Sequence, residues 1–369
     1  MATSSAPASL YVLYEERLGF GSFTTTAVFA AYPAGVAVSL FILGHLSDRI
    51  GRRPAMMLGL LLLLLSDAIF VCWIAVPGLL LARAITGVAI GIVTSTATAQ
   101  LSELRRRGGR PPSESLAILA NFGGVAAGPV ISGLVAVVSA DPLRVTYAVV
   151  AVAAMAALVA VVRVPETLPA GQSHVRYRVQ QIRVFSDRRR AYLAACGGGF
   201  VSFSVLALAS SLAPSFLAEN LDQPSHLLAG GLVCAVVAAA AAGQFAVRSG
   251  GPSVHIRVGF AIETTGIALA CGGLRWGSAL TFAAGMILAG GGSGVLFKGA
   301  LAAVESMAPQ AHRAETFAGL YLACYLGAGA VLVLGLAVDL GGGVLAMELL
   351  GAALASALVL SLRAPVFEE

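Results

Sequence analysis

Asp67, Arg83, Glu263 and Glu348 stand inside long apolar stretches of this 369-residue chain. An ionisable side chain at such depth is costly in hydrocarbon and is a functional candidate by default. A carboxyl there can carry a proton, so Asp67 and Glu263 are candidates for proton coupling. The competing reading pairs these acids within the bundle or lets them reach water, and lets Arg83 snorkel to the outer surface. Ser202, Ser204, Ser210, Ser211, Ser293, Asn121, Gln244, Tyr321 and Tyr325 add uncharged polar groups within apolar surroundings. No His/Cys/acid cluster, nucleophile motif or phosphate loop is present, so enzyme chemistry is not expected. The five cysteines lie in or beside apolar runs with no C-x-x-C pair, so neither metal nor disulfide is expected.

Composition says what must position these groups. The chain is 58% hydrophobic and 11% charged, where a soluble domain carries about 25% charge. Runs 55–82, 145–162, 227–247 and 278–297 approach or exceed the roughly 20 residues that a spanning helix needs. The lipid bilayer is therefore the expected partner. The net charge of +5 is dispersed in short clusters between apolar runs, which is a topology pattern and not a nucleic-acid footprint. Lys298 is the single lysine against 22 arginines, read as the coding bias of a GC-rich bacterium. No cleavable signal peptide is visible in the first ten residues.

The apolar runs predict eleven spans: 22–44, 55–76, 78–102, 114–139, 144–163, 191–217, 225–247, 254–275, 278–301, 313–337 and 342–362. Alternate connections hold Arg49, Arg52 and Arg53; Arg105, Arg106, Arg107 and Arg110; the 164–190 segment; Arg248 and Arg257; Arg313; and Arg363. The positive-inside rule places these connections and the C-terminus in the cytoplasm. The expected location is the cell membrane, crossed many times, as in a bacterial cytoplasmic membrane. The basic 164–190 segment, with His174, Arg176, Arg178, Arg183 and Arg188–Arg190, divides the chain into an N-terminal bundle (1–163) and a C-terminal six-helix bundle (191–369). It reads as a solvated linker, or as a site for anionic lipid headgroups.

The first charged loop, GHLSDRIGRRP at 44–54, is the most specific motif. Gly44, Asp48, Gly51, Arg52 and Arg53 fall at the spacing G-x-x-x-D-x-x-G-R-R. This resembles the loop between the second and third helices of the major facilitator superfamily. A shift of 199 residues returns it in worn form as Gly243-x-x-x-Val247-Arg248-x-Gly250-Gly251, and carries Gly128 onto Gly327. Two halves of like topology are thus visible in one chain. The resemblance implies an all-α integral membrane protein with two pseudo-symmetric helical bundles, about 11 spans being visible of an expected 12. Only about a dozen residues precede Tyr14-Glu15-Glu16-Arg17-Leu18, the counterpart of Leu217-Ala218-Glu219-Asn220-Leu221 at the end of a full span. A late start is expected to have removed most of the first helix; an eleven-span variant is the alternative.

Further motifs carry the same resemblance. Arg83-x-x-x-Gly87-x-x-x-Gly91 is similar to the fourth-helix signature, whose arginine is thought to assist proton transfer in the family's exporters. Gly123, Gly124, Gly128, Pro129 and Gly133 resemble the fifth-helix motif of drug/proton antiporters, where a proline kink and glycines permit close packing. Pro165-Glu166-Thr167 matches the P-E-[ST] common after the sixth span. The resemblance implies that Asp48 latches the halves by facing the N-terminus of the eleventh helix, near Arg313, with Arg49, Arg52 and Arg53 as ion-pair partners. It puts Asn121, Ser204, Ser293, Tyr321 and Tyr325 at the substrate cavity. The expected function is alternating-access transport of small amphiphilic molecules, as proton-coupled efflux by a monomer. No cofactor is expected; the proton gradient supplies the energy. Import of a small nutrient such as a sugar or organic acid, and a non-transporting membrane paralogue, are the alternatives.

Overall fold

The computed structural model describes residues 1–107, 114–167, 180–182, 188–247, 250–309 and 312–363, with backbone alone at 102, 105–107, 114–119, 313–314 and 360–363. The expected topology markers Arg105–Arg107, Arg110, His174, Arg176, Arg178, Arg183, Arg248, Arg313 and Arg363 therefore lie outside the described side chains.

The chain opens with α1 (Ala2–Ser5), a 3-10 turn (Ala6–Ser9) and α2 (Tyr11–Leu18). These are followed by α3 (Ser22–Leu43), α4 (Leu46–Ile50), α5 (Arg52–Cys72), α6 (Val76–Arg107), α7 (Glu114–Val138) and α8 (Pro142–Val162). The second half holds α9 (Arg189–Ser211), α10 (Ala213–Ser215), a π turn (Phe216–Asn220), α11 (His226–Ala246), α12 (Pro252–Arg275), α13 (Ala279–Met307), α14 (Arg313–Gly329) and α15 (Val331–Arg363). Among the described residues, ten helical stretches are long and apolar enough to cross a membrane. The last, Glu315–Val359, contains two of the expected spans, because the backbone breaks at Gly342 (φ 82°, ψ 172°). A backbone in lipid must satisfy its own hydrogen bonds, and helices do so without help from neighbours. The outward faces are apolar: Val138, Val152 and Leu280 are 82%, 71% and 83% exposed.

Helices α3, α5, α6 and α8 pack in one set, and α9, α11, α12, α13 and α14 in another, with α15 on α12. The two sets meet along a seam formed by α7 on α11 and by α3 against α14 and α15. Close approach needs small residues. A Cβ on Gly87 of α6 would collide with the Tyr32 carbonyl of α3, and one on Gly35 with the Ala84 carbonyl. Across the seam, a Cβ on Gly230 of α11 would strike the Pro129 carbonyl of α7.

The internal repeat is visible in backbone geometry. Gly51 and Gly250, related by the 199-residue shift, both have positive φ, 102° and 109°. A side chain at Gly128 would collide with Ser5 and Ala2, and one at Gly327 with the Phe200 carbonyl. Residues 2–9 thus pack on α7 much as the middle of α9 packs on α14. The 44–51 loop lies at the basic end of the molecule, and residues 19–21 lie at the opposite end.

Candidate functional site

Midway along the seam lies a cluster of rings. Phe203 of α9 meets Tyr325 of α14 edge-on (centroids 5.9 Å, 83°) and Phe297 of α13 at 5.4 Å. On the other side, α3 contributes Phe29 and Tyr32, which flank the Arg83 guanidinium at 5.6 and 4.8 Å from their centroids. These five rings are half-buried, whereas the Arg83 side chain is 1% exposed. The glycine contacts between α3 and α6 set the depth at which Arg83 meets those rings. Its Nη1 donates to the Ser4 carbonyl at 2.5 Å, and its Nε has no partner. Tyr321 and Asn121 are half-buried on α14 and α7.

The serines serve packing between helices as well as polarity. Ser204 Oγ donates to the Phe200 and Gly327 carbonyls (both 2.9 Å), joining α9 to α14. Ser202 Oγ donates to the Ser293 carbonyl at 3.0 Å, and Ser293 Oγ donates to Glu263 Oε1 at 2.7 Å. A polar chain therefore runs from α9 through α13 to α12. Glu263 is fully buried with Oε2 unpartnered, and Asp67 is buried with both oxygens unpartnered. Neither carboxyl is brought to Arg83 by an ion pair among the described residues. Glu348 instead pairs with Arg275 at 2.8 Å, near the surface.

At the opposite end, carboxylates cross the seam. Asp339 of α15 accepts from the Ser22 and Phe23 backbone amides (2.8 and 3.0 Å), filling the unsatisfied start of α3. A Cβ on Gly21 would come within 3.0 Å of that carboxylate. Glu15 of α2 accepts from Thr25 Oγ1 and, across the seam, from Ser215 Oγ at 3.0 Å. Glu15 lies outside the ten long apolar helices. Burial pushes its carboxyl up to about 7, against the pull of those two hydroxyls, with Glu219 and Asp339 adding to the rise. Nearby, Ser9 Oγ donates to the Pro129 carbonyl at 2.7 Å, and a Cβ on Gly133 would lie 2.9 Å from the His226 carbonyl. Gly124, Gly128, Pro129 and Gly133 thus sit where α7 meets the N-terminal segment and α11.

At the basic end, Asp48 pairs with Arg52 at 2.5 Å and lies 3.8 Å from His45. Arg52 also meets Glu103 (Nη2 to Oε1, 3.0 Å) and the Ser47 hydroxyl (2.7 Å). Glu166 accepts from the Arg52 and Arg53 amides, both at 3.0 Å, capping α5. Thr167 Oγ1 donates to Glu103 at 2.5 Å. Asp48, Arg52, Ser47 and Glu103 belong to the first half, and Glu166 and Thr167 to the start of the segment that follows it. Gly44 precedes the short α4, and Arg49 lies in its last turn. Glu103, Glu166 and Thr167 were missed as site residues by sequence reasoning. The P-E-T motif fixed register there, although an acid after a spanning helix, able to reach a facing helix start, was the available signal.

A seam between two helical sets, tied at one end and lined by rings at mid-depth, defines a two-bundle membrane protein. The Major Facilitator Superfamily family model matches residues 1–331. The chain belongs to that superfamily. No curated protein matches it by sequence. Its fold is similar to that of a POT family transporter solved with a thioalcohol-conjugated peptide (TM-score 0.76, 14% identity, 98% of this chain and 92% of that one). It also resembles a mutant of the nucleoside transporter NupG (0.71, 13%, 98% and 95%) and the human organic anion transporter MFSD10 (0.65, 16%, 96% and 89%).

Proposed function

We propose that this chain exports small amphiphilic molecules in exchange for protons, by rocking its two halves around the ring-lined seam. The observation that carries the reading is the unequal closure of that seam. Asp339 and Glu15 join the halves at the opposite end, while Asp48 is engaged within its own half. This arrangement fits a state open toward the basic end, which the positive-inside rule assigns to the cytoplasm. In the alternate state Asp48 turns to the start of α14 and the opposite-end ties release. Glu15 is suited to coupling because a carboxyl near 7 changes charge over the working range, and its bond to Ser215 crosses the moving boundary. Asp67 and Glu263 are further proton candidates.

The test uses proteoliposomes loaded with a fluorescent amphiphile, with an imposed proton gradient. Flux that follows the gradient, and loses that dependence in E15Q, supports coupled exchange. Flux indifferent to the gradient removes coupling. Uptake driven in the inward sense, with no export, replaces export by import.

A further inference from the structure

We infer that the substrates of this transporter are small organic anions, a carboxylate or sulfonate on an apolar body, and that Arg83 is their counter-charge. This rests on the transport reading above and names its substrate class. A guanidinium offers five N–H donors in a plane and does not lose its proton. Arg83 therefore cannot relay the proton itself; what it offers at mid-depth is fixed positive charge. In an apolar interior such a charge calls for an anion beside it.

The chain provides that anion for the other buried arginine among the described residues. Arg52 lies between Asp48 and Glu103 and also donates to Ser47. For Arg83 no carboxylate among the described residues does so. One nitrogen donates to a neutral backbone carbonyl and Nε has no acceptor. The faces of Phe29 and Tyr32 give cation–π attraction, which supplies no counter-charge and leaves Nε without an acceptor. Those same rings stand at the boundary of the halves: Phe29 packs against the cores of both. On the other half Phe203, Phe297 and Tyr325 make a second ring cluster, with Tyr325 close to Tyr32. An acid group directed at Arg83, with its apolar body among these rings, satisfies both the unpaired charge and the half-buried aromatic surface. Phosphorylated metabolites fit less well, because one guanidinium meets one acid group and the rings beyond it are apolar.

The full-length protein in liposomes is tested with 1-naphthoate, naphthalene-1-sulfonate and fluorescein as anions, and ethidium as a cation. Wild type is expected to move at least one anion, with ethidium flux at least tenfold lower. R83Q and R83M are expected to cut the anion flux at least tenfold, and R83K to retain part of it. R83M separates charge from folding: removing an unpaired buried cation should leave the thermal midpoint unchanged or higher while anion flux is lost. Anion flux at the wild-type rate in R83M overturns the inference, as does an R83M midpoint that collapses. Ethidium flux with none of the three anions moving overturns it while leaving transport standing. If no probe moves in wild-type vesicles, the transport reading falls with it.

Discussion

The loop at 44–53 and its copy at 243–252 share a glycine of positive φ and are fastened by groups of opposite charge. Gly51 and Gly250 share a positive φ that other residues rarely adopt. Around Gly51 the fastening groups are acids: Glu166 caps the start of α5, while Asp48 and Glu103 hold Arg52. Around Gly250 they are basic. Lys298 Nζ donates to the Val247 carbonyl at 2.7 Å, and the His255 ring nitrogens face the Val247 and Gly251 carbonyls at 3.1 and 2.9 Å. One copy satisfies the start of the helix that follows it, the other the end of the helix that precedes it. Both are favourable, because helix starts attract negative charge and helix ends positive charge. The positive-φ glycine is thus the part of this motif that both copies keep, while its electrostatics are rebuilt from elsewhere in the fold.

The largest effect should come from removing the centre of the acidic arrangement. R52A removes the guanidinium that bridges Asp48 and Glu103, at an expected cost of about 2–3 kcal/mol. A fall in the thermal midpoint, partly restored by R52K, is the expected readout; an unchanged midpoint would show that the network contributes nothing. Next, E166A uncaps α5 and should cost about 1 kcal/mol, with faster amide exchange at Arg52 and Arg53 than at residues deeper in α5. In the copy, K298M removes one charge-assisted bond while His255 still faces the same carbonyl. The expected loss is about 1 kcal/mol or less, and the double variant K298M/H255L should lose more than the sum of the singles if the two share that carbonyl. The smallest effect is expected from V247D, which restores the missing acid. Placed near Lys298 and His255, it should shift stability by no more than about 0.5 kcal/mol. A large gain there would mean that the copy tolerates its lost acid poorly.

The helix layout was legible because hydropathy and length report directly on lipid immersion. The expected span 114–139 is observed as Glu114–Val138, and 254–275 as Pro252–Arg275. The departures are polar extensions: α6 continues to Arg107 and α13 to Met307, since hydropathy marks where lipid ends and not where a helix ends. The span expected to 217 is interrupted after Ser211, where α10 and a π turn complete it, and nothing in the apolar pattern distinguishes these helical forms. Within the site, Arg83 and Asp48 could be singled out from their types and surroundings. Glu15 and Asp339 could not. Their importance lies in reaching Ser215 and the start of α3, contacts separated by 200 and 317 positions in the chain. Glu103 was hidden for the same reason, beside a cluster of arginines that drew attention as topology markers.

Lys298 has one more consequence. It is the single side-chain primary amine in the chain, and it is occupied by the end of a neighbouring helix. Apart from the chain's α-amine, an amine-directed label therefore addresses one side chain, on the second half, and its rate of attachment there measures how often Lys298 parts from the end of α11. No residue need be replaced to install that reporter, so motion at the basic end can be timed in the natural sequence.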